Sequence, residues 1–180
     1  MSSGKPIPAR MIPSMFTLAN LLFGFLALIW VLEANFDLAS TMILLSVLMD
    51  SLDGKVARRL SVSSDFGKEL DSLSDLVSFG VAPAILTYQG IIQPLQFSYM
   101  RYIGLGIAVI FALCGAVRLA RFNMLNITTY FVGVPITFAG GLMALLMFLR
   151  HMLPWYLYPF SMVILAFLMV STFKVPKLGK

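Results

Sequence analysis

Long apolar runs alternate with short polar connections along almost the whole chain. A helix needs about 20 mainly apolar residues to cross a hydrocarbon core of about 30 Å. Six windows satisfy this requirement, at residues 15–33, 37–59, 66–88, 100–122, 132–150 and 154–173. The pattern predicts an all-α integral membrane protein with six transmembrane helices, packed as a compact antiparallel bundle because the connections are short.

A polar tract of 14 residues precedes the first apolar run. Further apolar runs follow to the end of the chain, so the first run is expected to be a spanning helix rather than a cleaved signal peptide. Residues 10–16 mix a cation, apolar residues and a proline, which suits either a short segment along the cytoplasmic membrane interface or a plain linker. We assign residues 1–14 to an N-terminal interfacial segment of a single domain covering residues 1–180.

The composition supports a membrane protein, because 59% of the residues are hydrophobic and only 12% are charged. Soluble domains are typically about 45–50% apolar and about 25% charged. If both termini are cytoplasmic, 11 of the 13 basic residues fall on the inner side, as the positive-inside rule requires. The net charge of +5 is therefore attributed to topology and anionic lipid head groups, with no nucleic acid as partner. The expected location is the cell membrane.

Six of the eight acidic residues lie between positions 50 and 75. Asp50 and Asp53 are three residues apart and Asp71 and Asp75 four apart, so each pair shares one helix face. A short polar turn joins the two predicted helices, which places both pairs at similar depth on antiparallel neighbours. Four carboxylates are therefore expected to converge, and ionisable groups at membrane depth indicate a functional site.

Four aspartates this close cannot all stay ionised without cations nearby. One cysteine and one histidine are too few for a zinc site, whereas carboxylate oxygens suit Mg²⁺ or Mn²⁺ and could bridge two such ions. Two bridged ions commonly bind a diphosphate and stabilise the attacking and leaving oxygens of a displacement. The structural alternative is a buried lattice of ion pairs with Arg58, Arg59 and Lys68.

Residues around the acidic pairs suit a phosphate-bearing ligand. Arg58 lies two turns beyond Asp50 and could reach a phosphate, while Ser64 and Asp65 would cap the next helix, whose N-terminus favours anions. Small residues would let a base or a diphosphate approach the helices closely, although helix packing alone would also use them. Three small residues lie between the pairs, at Gly54, Ala57 and Gly67.

Written out, the window is Asp50-x2-Asp53-Gly54-x2-Ala57-Arg58-x8-Gly67-x3-Asp71-x3-Asp75. All eight fixed positions and their spacings resemble the signature of the CDP-alcohol phosphotransferase family. Residues 71–84, 118–123 and 130–135 are similar to the phosphatidylserine synthase branch of that family. The resemblance covers most of the chain.

The resemblance implies an integral-membrane homodimer with a two-metal site that opens to the cytoplasm. It implies that Asp50, Asp53 and Asp71 ligate one metal ion. Asp50, Asp71 and Asp75 would ligate the other, and Asp75 would also be the general base. Membrane lipids surround such a protein.

The same resemblance implies a binding site for CDP-diacylglycerol. Family members often carry Pro-Asn near the first helix, where this chain has Pro13 and Ser14, followed by Thr17 and Asn20. The cytidine diphosphate group would be held by a set of residues on the next two helices: Asp53, Gly54, Ala57, Arg58, Ser64 and Gly67.

The implied reaction transfers the phosphatidyl group of CDP-diacylglycerol, or of its archaeal ether-lipid analogue, to the hydroxyl of L-serine and releases CMP. Arg118 and Arg121, at the inner end of the fourth helix, could pair with the serine carboxylate or could act only as cytoplasmic anchors. Further candidate contacts are Asn123, Ser78 and Thr137. The alternatives are another acceptor alcohol, such as glycerol phosphate or inositol phosphate, and a divalent-cation channel or transporter.

Overall fold

The computed structural model describes residues 7–60, 65–125, 130–171 and 174–176. Six helices cover most of this part of the chain: α1 Ile7–Leu32, α2 Phe36–Leu60, α3 Asp65–Ile92, α4 Ser98–Leu125, α5 Ile136–Phe148 and α6 Leu157–Val170. Two three-residue strands, β1 Tyr130–Val132 and β2 Lys174–Pro176, pair as an antiparallel ribbon. The helical prediction is confirmed, whereas the ribbon was not predicted.

Three of the described helices are long and apolar enough to cross a membrane, over Ser14–Leu32, Asp65–Ile92 and Ser98–Met124. α5 and α6 are apolar but shorter, with 13 and 14 residues. Large apolar side chains such as Leu22, Phe25 and Phe167 are more than half exposed, which suits a surface in contact with lipid. The structure therefore supports a membrane-embedded protein, and the count of six spans remains a prediction.

The ends of two helices differ from the predicted spans for identifiable reasons. α1 begins already at Ile7, so the assigned interfacial segment is helical from that residue onward and continuous with the first span. α5 begins after Pro135, four residues later than predicted, because the residue before a proline avoids the helical region. Val132, predicted as the first residue of the span, instead ends β1, which begins in the predicted connection at Tyr130.

α3 is the most buried of the three long apolar helices, and two π-helical turns interrupt it at Leu76–Val81 and Tyr88–Ile92. Pro83, which has no N–H to donate to an earlier carbonyl, follows the first π turn closely. Glycines let the flanking helices approach this turn: a Cβ on Gly140 of α5 would lie 2.6 Å from the main chain of Phe79. Close packing thus fixes the part of α3 that follows the aspartates.

The remaining packing joins α1 to α2, α4 to α6, and α5 to both α2 and α3. Apolar side chains from five helices form the shared core: Ile43, Phe79, Phe111, Met143 and Met162. At one end of the bundle Arg150, after α5, holds Asp37 at the start of α2 through two hydrogen bonds, one of them 2.8 Å long. Polar side chains, and not apolar ones, fill the interior where α1 meets the acidic pairs.

Candidate active site

Three carboxylates meet between α2 and α3. One oxygen each of Asp50, Asp71 and Asp75 lies within 4.8 Å of the others. Asp71 and Asp75 share one face of α3 because they are four residues apart, and Asp50 faces them from α2. Asp53 lies outside this group of three, one turn further along α2, and its charge still acts on Asp50 and Asp71.

Hydrogen-bond donors from α1 and α5 orient three of the four aspartates. A donor of this kind holds a carboxylate in one orientation and leaves its other oxygen available to a ligand. The bonds run from Thr17 Oγ1 to Asp53 Oδ2, from Asn20 Nδ2 to Asp75 Oδ1 at 3.0 Å, and from Thr137 Oγ1 to Asp50 Oδ2 at 3.2 Å.

Asn20 is fully buried and joins three helices. Its main-chain carbonyl accepts hydrogen bonds from the hydroxyls of Ser46 on α2, at 3.2 Å, and Ser78 on α3, at 3.0 Å. Its side-chain oxygen has no donor among the described residues. Ser78, a predicted contact of the acceptor, is therefore used inside the bundle to hold α1.

A cavity of about 580 Å³ opens beside the aspartates. Its size falls in the range of about 300–1,000 Å³ that is usual for small-molecule sites. The lining comes from α3, from the end of α4 and from the start of α5, and it includes Asp71, Asp75, Arg118, Asn123, Pro135 and Thr137. The structure thus brings three of the acceptor candidates, Arg118, Asn123 and Thr137, to one cavity with two of the aspartates.

Arg118 is the half-buried cation of this cavity. Its guanidinium carbon lies 5.9 Å from the centre of the Phe122 ring, and its charge acts on Asp75. The Nε atom is buried and has no hydrogen-bond partner among the described residues. Nearby, Asn123 donates to Ser72 at 3.0 Å. A guanidinium with an unused donor suits an anionic group of a ligand.

Arg121 does not line the cavity. Its Nη1 atom donates to the carbonyl of Val170 at the end of α6, at 3.2 Å. The last carbonyls of a helix lack partners within the helix, and a basic side chain commonly satisfies one of them. The structure therefore gives Arg121 a contact that joins two helices.

The predicted nucleotide contacts that the structure describes lie on α1, α2 and the start of α3, the helices that carry or bind the aspartates. Gly54 and Gly67 are half-buried, as is Ser14, one turn before Thr17, whose hydroxyl already binds an aspartate. Ser64 lies outside the described residues. The backbone alone is described for three others: Pro13, Ala57 and Arg58.

The donor set fits a hard divalent cation, because Asp50, Asp71 and Asp75 offer carboxylate oxygens from two facing helices. Asp71 forms no hydrogen bond or ion pair within the described parts of the chain, so both of its oxygens are available to a ligand. Lys68, one partner in the alternative ion-pair lattice, lies 3.5 Å from exposed Asp65 instead. The cluster could therefore hold a metal ion.

Sequence reasoning missed the contacts that Asn20 and Thr137 make with the aspartates, and it missed Ser46 altogether. A signal was present in α1, where Thr17 and Asn20 are polar residues three apart inside an apolar run. Two polar side chains on one face of a spanning helix need partners on a neighbouring helix. The acidic residues of the chain were the natural partners to consider.

Residues 10–173, which include all four aspartates, match the family model of the CDP-alcohol phosphatidyltransferases. The chain belongs to this family. The match confirms the resemblance that the spacing of the aspartates indicated.

Three curated relatives illustrate the similarity. A CDP-diacylglycerol–serine O-phosphatidyltransferase of Methanocaldococcus jannaschii is 42% identical over 161 residues, which are 89% of this chain and 71% of the relative. A Bacillus subtilis protein of the same name is 38% identical over 174 residues, 94% and 92% of the two chains. An archaetidylserine synthase of Methanothermobacter thermautotrophicus is 35% identical over 170 residues, 92% of this chain and 70% of the relative.

Proposed function

We propose that this member of the family transfers the phosphatidyl group of CDP-diacylglycerol, or of the corresponding archaeal ether lipid, to the hydroxyl of L-serine. The products are phosphatidylserine, or its ether analogue, and CMP. The names of the relatives support serine as the acceptor. The observation that carries the proposal is the convergence of Asp50, Asp71 and Asp75 beside a cavity that also contains the Arg118 guanidinium.

The four aspartates would hold two divalent ions, Mg²⁺ or Mn²⁺, with Asp53 as the fourth ligand residue one turn from Asp50. When bound, such ions neutralise a diphosphate and stabilise the oxygen that leaves with CMP. The contribution of the chain is to fix the carboxylates in place before the substrate arrives, since Thr17, Asn20 and Thr137 each hold one of them. Preorganised charge of this kind provides most of the catalysis in a displacement at phosphorus.

Asp75 acts as the general base in this proposal. Its Oδ1 atom accepts the hydrogen bond from Asn20, which leaves Oδ2 for the proton of the serine hydroxyl. The serine oxygen forms a bond to the phosphorus of the phosphatidyl group, the bond between that phosphorus and the CMP oxygen breaks, and Asp75 receives the proton. A carboxylate is a weak base, so the proton moves late, as the new bond to phosphorus forms.

Arg118 would bind the carboxylate of serine. It lines the same cavity as Asp75 and acts on that residue electrostatically, so an amino acid paired with Arg118 lies close to the base. Asn123 lies in the same lining and would add a polar contact. Arg121 and Ser78 are left out of this contact set because their polar groups bind Val170 and Asn20.

The nucleotide would lie on the other side of the aspartates, against α1 and α2. Small residues next to the carboxylates leave space for the diphosphate, and polar or basic ones would contact the phosphates and the cytidine. The proposed contacts are Pro13, Ser14, Thr17, Asp53, Gly54, Ala57, Arg58, Ser64 and Gly67.

The proposal includes a multi-pass homodimer in the cell membrane, with six spans and both termini in the cytoplasm. The cavity lies between the start of α3 and the end of α4, and the charge bias of 11 basic residues to two supports a cytoplasmic location for these helix ends. Cysteines introduced singly at Lys68 and at Arg101 would then react with a membrane-impermeant reagent from opposite sides. Chemical cross-linking in native membranes measures the dimer.

The function is tested with purified protein in detergent, by release of CMP from CDP-diacylglycerol. We expect release to require both L-serine and Mg²⁺ or Mn²⁺, and to stop in Asp71→Asn but not in the control Glu33→Gln, which replaces an exposed acid in the connection between α1 and α2. Release with glycerol phosphate or inositol phosphate, and none with serine, would assign a different acceptor. Metal flux into liposomes without CMP release would support the channel alternative.

A further inference from the structure

The segment that leads into the cavity wall of α5 is tied to the far end of the chain. Residues 130–132 pair with residues 174–176 in the ribbon, in the register Tyr130 with Pro176 and Val132 with Lys174. Two residues later the N–H of Val134 donates to the carbonyl of Leu168 in α6, at 3.1 Å. The end of α6 and the strand after it therefore hold the connection between α4 and α5.

Gly133 lies at the centre of these contacts and is buried. Its φ is +72°, in the left-handed region that side chains other than glycine rarely adopt. A Cβ added there would lie 2.7 Å from the carbonyl oxygen of Met169 and 2.8 Å from that of Leu168. Both oxygens belong to the main chain of α6, so any larger residue must push the connection away from that helix.

The two polar walls of the cavity meet at the same end of α6. One wall is the end of α4 with Arg118, and Arg121 ties this helix end to the carbonyl of Val170. The other wall starts two residues after Gly133, with Pro135, followed by Thr137. The end of α6 therefore fixes both walls relative to each other.

We propose that Gly133 is a positioning residue for the acceptor side of the cavity: it lets the connection lie directly on α6, so that Pro135 and Thr137 face Arg118 at the correct distance. Gly133 does not line the cavity and acts through these residues. The inference rests on the proposed function, because it assigns this side of the cavity to the acceptor. The proposed nucleotide contacts lie on α1, α2 and the start of α3, and the connection reaches this side only through the hydrogen bond from Thr137 to Asp50.

The test compares steady-state constants for the two substrates in Gly133→Ala. We expect kcat/KM for serine to fall at least tenfold, while the KM and the equilibrium binding of CDP-diacylglycerol change by a clearly smaller factor, about threefold at most, because only the hydrogen bond from Thr137 to Asp50 links the connection to the nucleotide side. The matched control is Gly106→Ala in α4, where an added Cβ meets nothing within 4 Å, and it should leave all constants unchanged. A merely structural defect would lower the apparent affinity for both substrates together.

Two further variants keep the test decisive if Gly133→Ala folds poorly. A chain ending at Ser171 lacks β2 but retains the Val134 contact, and Arg121→Met removes the tie between α4 and α6. Both variants should lower kcat/KM for serine selectively, as Gly133→Ala does, but by a smaller factor. Binding of CDP-diacylglycerol and the thermal midpoint in detergent report whether each variant is folded.

The proposal is overturned if Gly133→Ala, or both further variants, keep kcat/KM for serine within twofold of the wild type. It is also overturned if the affinities for serine and for CDP-diacylglycerol fall by the same factor. Failure of the proposed function gives a different result, because the wild-type protein would then use another acceptor or none. With another acceptor, the same comparison of variants on that alcohol still decides the role of Gly133. If the wild-type protein uses no acceptor alcohol, there is no acceptor affinity for Gly133 to affect, and the inference is overturned as well.

Discussion

Replacing Asn20 by leucine separates the orientation of a carboxylate from the packing around it. Leucine has the same number and branching of side-chain heavy atoms as asparagine, with bulkier methyl groups in place of the amide, so the change fills the site while removing the donor that binds Asp75 at 3.0 Å. The main-chain carbonyl of Asn20 remains, so the hydroxyls of Ser46 and Ser78 keep their acceptor. The change also removes the buried side-chain oxygen that has no donor among the described residues.

The expected loss of activity follows from that single hydrogen bond. Removing a residue that orients a metal-binding group typically costs about 10–100-fold in activity or metal affinity. This corresponds to about 1.4–2.7 kcal/mol, which agrees with about 1.5–3 kcal/mol for a hydrogen bond to a charged group. Stability should change less than activity, because the lost bond is partly offset by the removal of an unsatisfied polar atom and by the added apolar contact.

The assay measures kcat for CMP release at saturating CDP-diacylglycerol and serine, together with the thermal midpoint in detergent. The matched control is Ser46→Ala, which removes a hydrogen bond to the same residue but leaves Asp75 and its donor in place. We expect Asn20→Leu to lose 10–100-fold in kcat and Ser46→Ala less than about threefold. Equal losses in both variants, or a kcat of Asn20→Leu within twofold of the wild type, would refute the orienting role.

Three other substitutions test the remaining assignments. Asp75→Asn should lower kcat by about 10²–10⁴-fold, the usual contribution of a general base, and leave CDP-diacylglycerol binding largely intact; normal turnover would remove Asp75 from the mechanism. Arg118→Met should raise the KM for serine about tenfold or more and leave the KM for CDP-diacylglycerol unchanged, whereas an unchanged serine KM would exclude Arg118 as the carboxylate contact. Asp37→Asn breaks the exposed pair with Arg150 and should cost less than about 1 kcal/mol of stability with kcat unchanged, so a clear loss of turnover would show that this pair does more than join two helices.

The sequence predicts the meeting of the aspartates better than it predicts the hydrogen bonds from other helices that hold them in place. Spacings of three and four residues placed each acidic pair on one helix face, and the short turn brought the two faces together, so the meeting of Asp50 with Asp71 and Asp75 follows from local geometry. Asp53 lies outside that group, and its carboxylate is bound by Thr17 of α1, a contact between residues far apart in the chain.

The same limit explains the two arginines of α4. Their spacing of three residues suggested one shared ligand, and local geometry allows it. However, Arg121 lies next to the end of α6 and binds the carbonyl of Val170, while Arg118 remains in the cavity. Which helix end lies beside a long side chain depends on tertiary packing, and no pattern within α4 contains that information. The ribbon was missed for a similar reason, because each strand has only three residues and its partner is distant.

The π turn after Asp75 divides α3 into two parts whose side chains follow different rotational registers around the helix axis. In the first part, residues 71 and 75 point to the cavity. In the second part, the residues beyond Val81 pack against the other helices. One residue corresponds to about 100° of rotation in an α-helix. If this segment adopted ordinary α-helical hydrogen bonds without losing a residue, the parts of α3 before and after it would therefore rotate relative to each other by about 100°, and either the aspartates would turn away from Asp50 or the core face would turn away from its neighbours. The length of this one turn is as much a requirement of the active site as the acidic residues are.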